Sequence, residues 1–217
     1  MSYFYISDTH FDHGNCIKFD GEENLFPTVE DKNETIISNW NKAVKPNDTV
    51  FILGDMVWGR SSNWEKFLPR LTGKKVLIKG NHDKIDDTNS KFFTNIVEYL
   101  EVSDCGCKVI MCHYPILFYR QNYKINNYML YGHVHNTHEY YEMLEYIKQI
   151  KLNCDADNKN KGQIINVGSM MPYVNHTPQR LETFIKENQR INDEVTRKIV
   201  RERRERIGCE SNSIKSR

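Results

Sequence analysis

Five short segments of this chain carry side chains able to hold metal ions. They are Ser7-Asp8-Thr9-His10, Gly54-Asp55, Gly80-Asn81-His82-Asp83, Cys112-His113-Tyr114-Pro115 and Gly132-His133-Val134-His135. Carboxylate, imidazole and amide oxygen together suit a pair of divalent cations such as Mn, Fe, Zn or Ni. Asp8 and His10 stand two residues apart, so on an extended segment both would point the same way. His133 and His135 repeat the spacing. Each pair can then deliver two ligands to one face. Gly54, Gly80 and Gly132 let the backbone turn and come close to such a site.

These segments need elements that carry them to one place. Apolar, β-rich runs precede them at residues 3–6, 49–53, 75–79, 108–112 and 128–131, and a sixth lies at 163–167. Short apolar runs ending in Gly, Asp, Asn or His predict buried strands. Helical patterns lie between them. Thr28 with Asp31 forms a capping-box variant ahead of Ile36, Ile37, Trp40 and Val44, and Pro46 stops that run. Residues 63–71 predict a second, shorter helix with Trp64, Phe67, Leu68 and Leu71 on one face. Residues 139–150 predict a third, and the polar stretch 153–162 a loop. From Gln179 onward the chain predicts one long charged helix, with ten Lys/Arg against six Asp/Glu over 186–217 and a disordered tail at 209–217. Periodicity alone gives an α/β protein with strand C-terminal ends gathered at a shared site.

Composition narrows the function classes. The chain has 217 residues, 39% hydrophobic and 27% charged, which suits one soluble domain. Its 30 basic and 29 acidic residues leave a formal charge of +1, so no global field favours nucleic acid or an anionic membrane. No apolar run approaches the roughly 20 residues that span a bilayer. The N-terminus lacks the pattern of a secretion signal. The six cysteines are scattered, and only Cys105 and Cys107 are close-set, without a second pair to complete a zinc site. Reduced thiols in the cytoplasm are the expectation. The arginines of 197–206 alternate with Glu202 and Glu205, which reads as a solvated helix face without aromatics for base stacking. His138 and His176 are expected at the surface.

Taken in order, D-x-H, G-D, G-N-H-D, H and G-H-x-H, the five segments resemble the calcineurin-like metallophosphoesterases. The first block, Ser7–Asn15, is similar to that of small single-domain bacterial and phage members. The resemblance implies two facing mixed β-sheets flanked by helices, here a domain over 1–178 with a charged C-terminal helix at 179–208. It implies that Asp8, His10 and His135 hold a first metal, that Asn81, His113 and His133 hold a second, and that Asp55 bridges them. His82 would stand beside the metals, its ring oriented by Asp83, and assist the leaving group or the transition state. A metal-bridging hydroxide would attack phosphorus in line with the leaving oxygen. Mn is the favoured metal, with Fe, Zn or Ni as substitutes.

The resemblance also implies a small phosphoester or nucleotide as substrate, with phosphodiesters favoured over monoesters. A nuclease or a catalytically silent scaffold of the same fold are the alternatives. His13, Asn15 and Arg60 are candidate substrate contacts. Protein Ser/Thr phosphatases carry G-D-x-V-D-R-G in the second block. This chain has Gly-Asp-Met-Val-Trp-Gly-Arg ending at Arg60, so their arginine clamp is unmatched. Asn166–Tyr173 is similar to the closing N-V-G strand and loop of small members and is expected at the pocket rim. Residues 139–160 are expected to supply a lid or wall. Oligomeric state is left open.

Overall fold

A computed structural model describes residues 1–152 and 162–215, with backbone alone for 199–200 and 202–215. Four strands, β1 (Tyr3–Ile6), β2 (Thr49–Ile52), β3 (Lys74–Ile78) and β4 (Asn95–Val97), form one sheet in that order, all parallel. Four more, β5 (Tyr99–Asp104), β6 (Cys107–Cys112), β7 (Asn127–Tyr131) and β8 (Ile164–Asn166), form the second, in which only β5 and β6 are antiparallel. The sheets adjoin through a bridge between Ser7, just past β1, and Gly168, just past β8. A single hydrophobic core draws on both. Helices flank the pair, so the αβ architecture read from the residues and from the resemblance holds.

Register explains how the site forms. Ile6 pairs with Ile52 and Ile52 with Leu77, so β1, β2 and β3 end at one level. Met111 pairs with Leu130 and Leu130 with Ile165, which levels β6, β7 and β8 in the same way. Parallel strands release their C-terminal loops on one side, and all five metal-type segments are such loops.

The capping box at Thr28 is present: its hydroxyl accepts from Asp31 N–H at 3.1 Å and the Asp31 carboxylate accepts from Thr28 N–H at 3.2 Å. It opens α2 (Val29–Ala43), which buries Ile36, Ile37 and Trp40. Ahead of it lies α1 (Gly14–Phe19), six residues without a side-chain cap and too short to leave a periodic signal. The helix expected at 63–71 is instead two 3-10 stretches, Ser61–Lys66 and Leu68–Arg70. Pro69 has no N–H to donate and its ring blocks an α-helical turn there. The apolar face is nonetheless buried at Trp64, Phe67, Leu68 and Leu71.

β4 and β5 carry no continuous apolar run. They are largely half-buried, with Glu98, Glu101 and Asp104 interrupting the pattern. α3 is a single turn, Asp87–Ser90, and α4 is His138–Leu152. The expected loop at 153–162 lies outside the described residues except for Gly162. α5 runs from Leu181 to Lys215, so its backbone stays helical past 208, where a tail was expected; Gly208 alone does not stop a helix rich in Glu, Lys and Arg. Leu181, Phe184, Ile191 and Val195 bury its first turns against the domain. Among the described residues, no helix is long and apolar enough to cross a membrane.

Candidate metal centre

The loops after β1 and β2 run side by side. Asp8 N–H donates to Gly54 O at 3.0 Å, His10 N–H to Asp55 O at 3.1 Å and Phe11 N–H to Met56 O at 2.9 Å. Asp83 ties the β3 loop to them. Its carboxylate accepts from Asp55 N–H, Met56 N–H and Gly80 N–H at 3.0, 2.9 and 2.8 Å. Asp83 therefore fastens loops. The ring-orienting role expected of it toward His82 is replaced by these three backbone donors.

Two groups that join a carboxylate to imidazoles result, beside a third set of His10, His13 and Cys16 that draws on the same His10. Asp8, His10 and His135 bring one ligand atom each within 4.8 Å of one another, and so do Asp55, His113 and His133. Asp55 Oδ2 lies 3.9 Å from His10 Nε2 and 3.5 Å from His113 Nε2, between the groups. Asn81 Oδ1 is 3.0 Å from His113 Nε2, which adds it to the second group. All seven residues expected as ligands thus converge.

The D-x-H and H-x-H pairs are not extended, contrary to the sequence reading. Asp8, His10, His133 and His135 all have left-handed φ, at 53°, 44°, 72° and 49°. Thr9 and Val134, between them, turn into the interior, and Thr9 Oγ1 donates to Met56 O at 2.9 Å. The loops have left the strands, and the alternation comes from this local winding. Gly132 is required by proximity: a Cβ there would stand 1.8 Å from Ser7 Oγ and 2.4 Å from Asp8 Oδ2. Gly54 combines φ of +87° with a would-be Cβ 2.5 Å from His113 Nδ1.

Hydrogen bonding orients two of the imidazoles. His113 Nδ1 lies 2.7 Å from Leu53 O, so it carries the proton and Nε2 faces Asn81 and Asp55. His135 Nδ1 lies 2.8 Å from Asp20 Oδ1, which turns its Nε2 toward His10 Nε2, 3.0 Å away, and Asp8. Two Nε2 atoms at that separation share at most one proton, and lone pairs aimed at carboxylate oxygens invite a cation. The donor set fits divalent metal ions.

Electrostatics agree. Burial holds His10 neutral, well below its usual pKa, with His135 adding to the effect. Burial and the His113 charge lower His133 as well. Burial opposes charge on His113, but Asp55 and Asp8 raise it to about 9. Burial also opposes charge on Asp55, which its contact with His113 outweighs to bring it to about 2. Burial raises Asp8 against the pull of His135 and His113. A bound cation would take the place of the proton on His113 Nε2, 3.5 Å from Asp55 Oδ2.

His82 stands beside the groups. Its N–H donates to Asp55 Oδ1 at 2.9 Å, and its exposed ring centres 4.8 Å from Trp58 and 6.0 Å from His10. His13 is buried, stacked on Trp58 at 3.8 Å, with Nδ1 2.6 Å from Cys16 Sγ. Asn15, on α1, and Arg60, at the start of the first 3-10 stretch, are exposed and not brought into either group.

Several supporting residues left no motif. Ser7 Oγ is 2.6 Å from Asp8 Oδ2. Ser169 Oγ donates to Asp8 O at 2.7 Å, and Asn166 Nδ2 to His135 O at 2.8 Å. The Asn166–Tyr173 block therefore underpins the first group through Asn166 and Ser169, while its Met171, Pro172 and Tyr173 line a cavity with Tyr140, Tyr141 and Leu144 of α4. His176, expected at the surface, is buried with Nε2 2.7 Å from Glu22 Oε1. His138 is exposed as expected.

This fold, with two clusters of oxygen and imidazole ligands at strand ends, defines a metallophosphoesterase-type centre. A family model for the calcineurin-like phosphoesterase superfamily domain matches residues 1–186, and the chain belongs to that family. An uncharacterised protein of Methanocaldococcus jannaschii is 36% identical over 137 residues, covering 62% of this chain and 70% of its own length. The gene 66 protein of Mycobacterium phage L5 is 34% identical over 83 residues, 37% of this chain and 39% of its own. A solved protein of unknown function from Aquifex aeolicus superposes with a TM-score of 0.60 at 25% identity, over 85% of this chain and 97% of its own.

Proposed function

We propose that the chain hydrolyses small phosphate esters, phosphodiesters ahead of monoesters, with two divalent cations, Mn in the first instance. The observation that carries this reading is the pair of ligand groups joined by Asp55 Oδ2. When bound, the cations would lower the pKa of a water toward about 7 and neutralise phosphoryl oxygens. The chain's own part is orientation. Asp8, His10 and His135 would hold one cation, Asn81, His113 and His133 the other, and Asp55 would serve both. His82, exposed beside them, is the group free to donate to an equatorial oxygen or to the leaving oxygen, help worth about 10²–10⁴-fold.

Two features favour diesters. Arg60 is exposed and lies outside the ligand groups, so it does not clamp a doubly charged monoester there. A cavity of about 380 Å³, lined by Lys79, Asn81, Glu98, Cys112 and Tyr114, adjoins the second group and offers room for a second ester arm. The four described cysteines are free, in keeping with work in the reducing cytoplasm.

The test compares bis-p-nitrophenyl phosphate with p-nitrophenyl phosphate, using metal-stripped protein, Mn²⁺ added back and Asp55→Asn in parallel. Mn-dependent turnover, faster on the diester and lost in the variant, is expected. Metal-independent turnover, or an active Asp55→Asn, would overturn the reading. Faster monoester turnover would overturn the diester preference alone.

A further inference from the structure

Behind His135 lies a chain of buried charges that the reaction does not call for. His135 Nδ1 is 2.8 Å from Asp20 Oδ1. Asp20 Oδ2 is 3.5 Å from Lys32 Nζ, which lies 2.8 Å from Glu22 Oε2, and Glu22 Oε1 is 2.7 Å from His176 Nε2. The side chain of Asp20 is 0% exposed, and those of Lys32, Glu22 and His176 are 2%, 5% and 6% exposed. Asp20 caps the end of α1, and Lys32 reaches it from the first turns of α2.

Burying such ions is expensive, and well-packed apolar residues often do as well or better for stability. The arrangement therefore asks for a role other than stability. Asp20 is the one charged acceptor behind an imidazole of the two ligand groups, among the described residues. His113 leans on the neutral carbonyl of Leu53, and His10 Nδ1 is buried without a partner. A carboxylate on Nδ1–H fixes the tautomer, aims Nε2 and makes it a stronger electron donor than a carbonyl does. Lys32, hydrogen-bonded to Glu22, sets its ammonium 3.5 Å from Asp20 Oδ2.

We propose that Asp20, braced by Lys32 and Glu22, is a positioning residue that holds His135 and tightens the first cation site selectively. The proposal rests on the two-cation reading above.

Full-length metal-stripped protein titrated with Co²⁺ tests it, with heat and visible absorption followed together. Wild type should take two equivalents. Asp20→Asn should bind one of them about 10–100-fold more weakly, the usual cost of losing such a partner, and leave the other within about threefold of wild type. Equal affinities in variant and wild type would refute the proposal while leaving the two-cation reading intact. A parallel loss at both sites would also refute it, since that marks a general structural fault. Wild type binding fewer than two equivalents would remove both. A second measurement needs no variant: ¹⁵N–¹H spectra of histidine-labelled, Zn²⁺-loaded wild type. Nδ1 of His135 should carry the proton, and a proton on Nε2 would overturn the proposal.

Discussion

A single methyl group at Gly132 should dismantle the first ligand group. The Cβ of Gly132→Ala would sit 1.8 Å from Ser7 Oγ and 2.4 Å from Asp8 Oδ2, whereas real contacts stay above 3.0 Å. Ser7 Oγ would have to retreat by about 1.2 Å and Asp8 Oδ2 by about 0.6 Å. Neither has room, because both residues are fully buried. Ser7 Oγ also sits 2.8 Å from Leu53 O, and Asp8 accepts from His133 N–H at 3.0 Å. Overpacking of this kind costs about 1–3 kcal/mol. Losing one hydrogen bond to a charged group adds about 1.5–3 kcal/mol. At about 2–4 °C per kcal/mol for a chain this long, the melting temperature should fall by about 5–25 °C.

Thermal unfolding of the metal-free protein by circular dichroism reads this directly, and Co²⁺ titration should show the first equivalent lost. Gly14→Ala makes the same chemical change where the nearest atom is 4.0 Å away, inside α1. That variant should match or exceed wild-type stability, as alanine favours helix by up to about 1 kcal/mol. A Gly132→Ala protein melting within about 2 °C of wild type and binding both cations would refute the close-approach argument.

His82→Ala should retain two cations and lose about 10²–10⁴-fold in turnover, most on substrates with poor leaving groups; undiminished turnover on an alkyl ester would remove His82 from the chemistry. Glu22→Gln probes the buried charges through pH. Burial works against ionisation of Glu22, but His176 and Lys32 outweigh it and bring its pKa below the usual 4.5. A folded pKa below the unfolded one contributes stability that is present above about pH 4.5 and lost as pH falls through the folded value. Denaturant unfolding should therefore show wild type ahead of Glu22→Gln at pH 7 and the gap closing in acid; a gap independent of pH between 7 and 3 would contradict the pairing.

Much of the site could be read from residues alone because ligand chemistry restricts the choice of side chain. Asp8, His10, Asp55, Asn81, His113, His133 and His135 each had to be a donor, and each follows a strand whose apolar run is visible. The supporting residues have no such restriction. Asp20 is twelve positions beyond Asp8 and looks like an ordinary helix-end acid. Only the fold of α1 and α2 carries it to His135. The same limit hid β4 and β5, whose half-buried positions tolerate charge, and it misplaced the role of Asp83, which depends on where three backbone N–H groups point. Pro69 shows the opposite case: the signal against an α-helix was in the sequence, overridden by a persuasive apolar face.

The left-handed backbone at Asp8, His10, Asp55, His133 and His135 bears on how cations would bind. Each non-glycine residue in that region costs about 1–3 kcal/mol unless its surroundings compensate. Compensation is present without any cation. Asp8 is held by Ser7, by His133 N–H and, through its carbonyl, by Ser169. His10 is held at its N–H by Asp55 O, and His135 at both its ring and its carbonyl. The winding is thus set by neighbouring loops, and it turns Thr9 and Val134 inward while their flanking ligands face the site. Ligands ordered in this way lose little further conformational freedom on binding, so more of each metal–ligand interaction survives as affinity. A polar network that stabilises the protein only weakly can still decide whether two cations bind, because it fixes where the lone pairs point before they arrive.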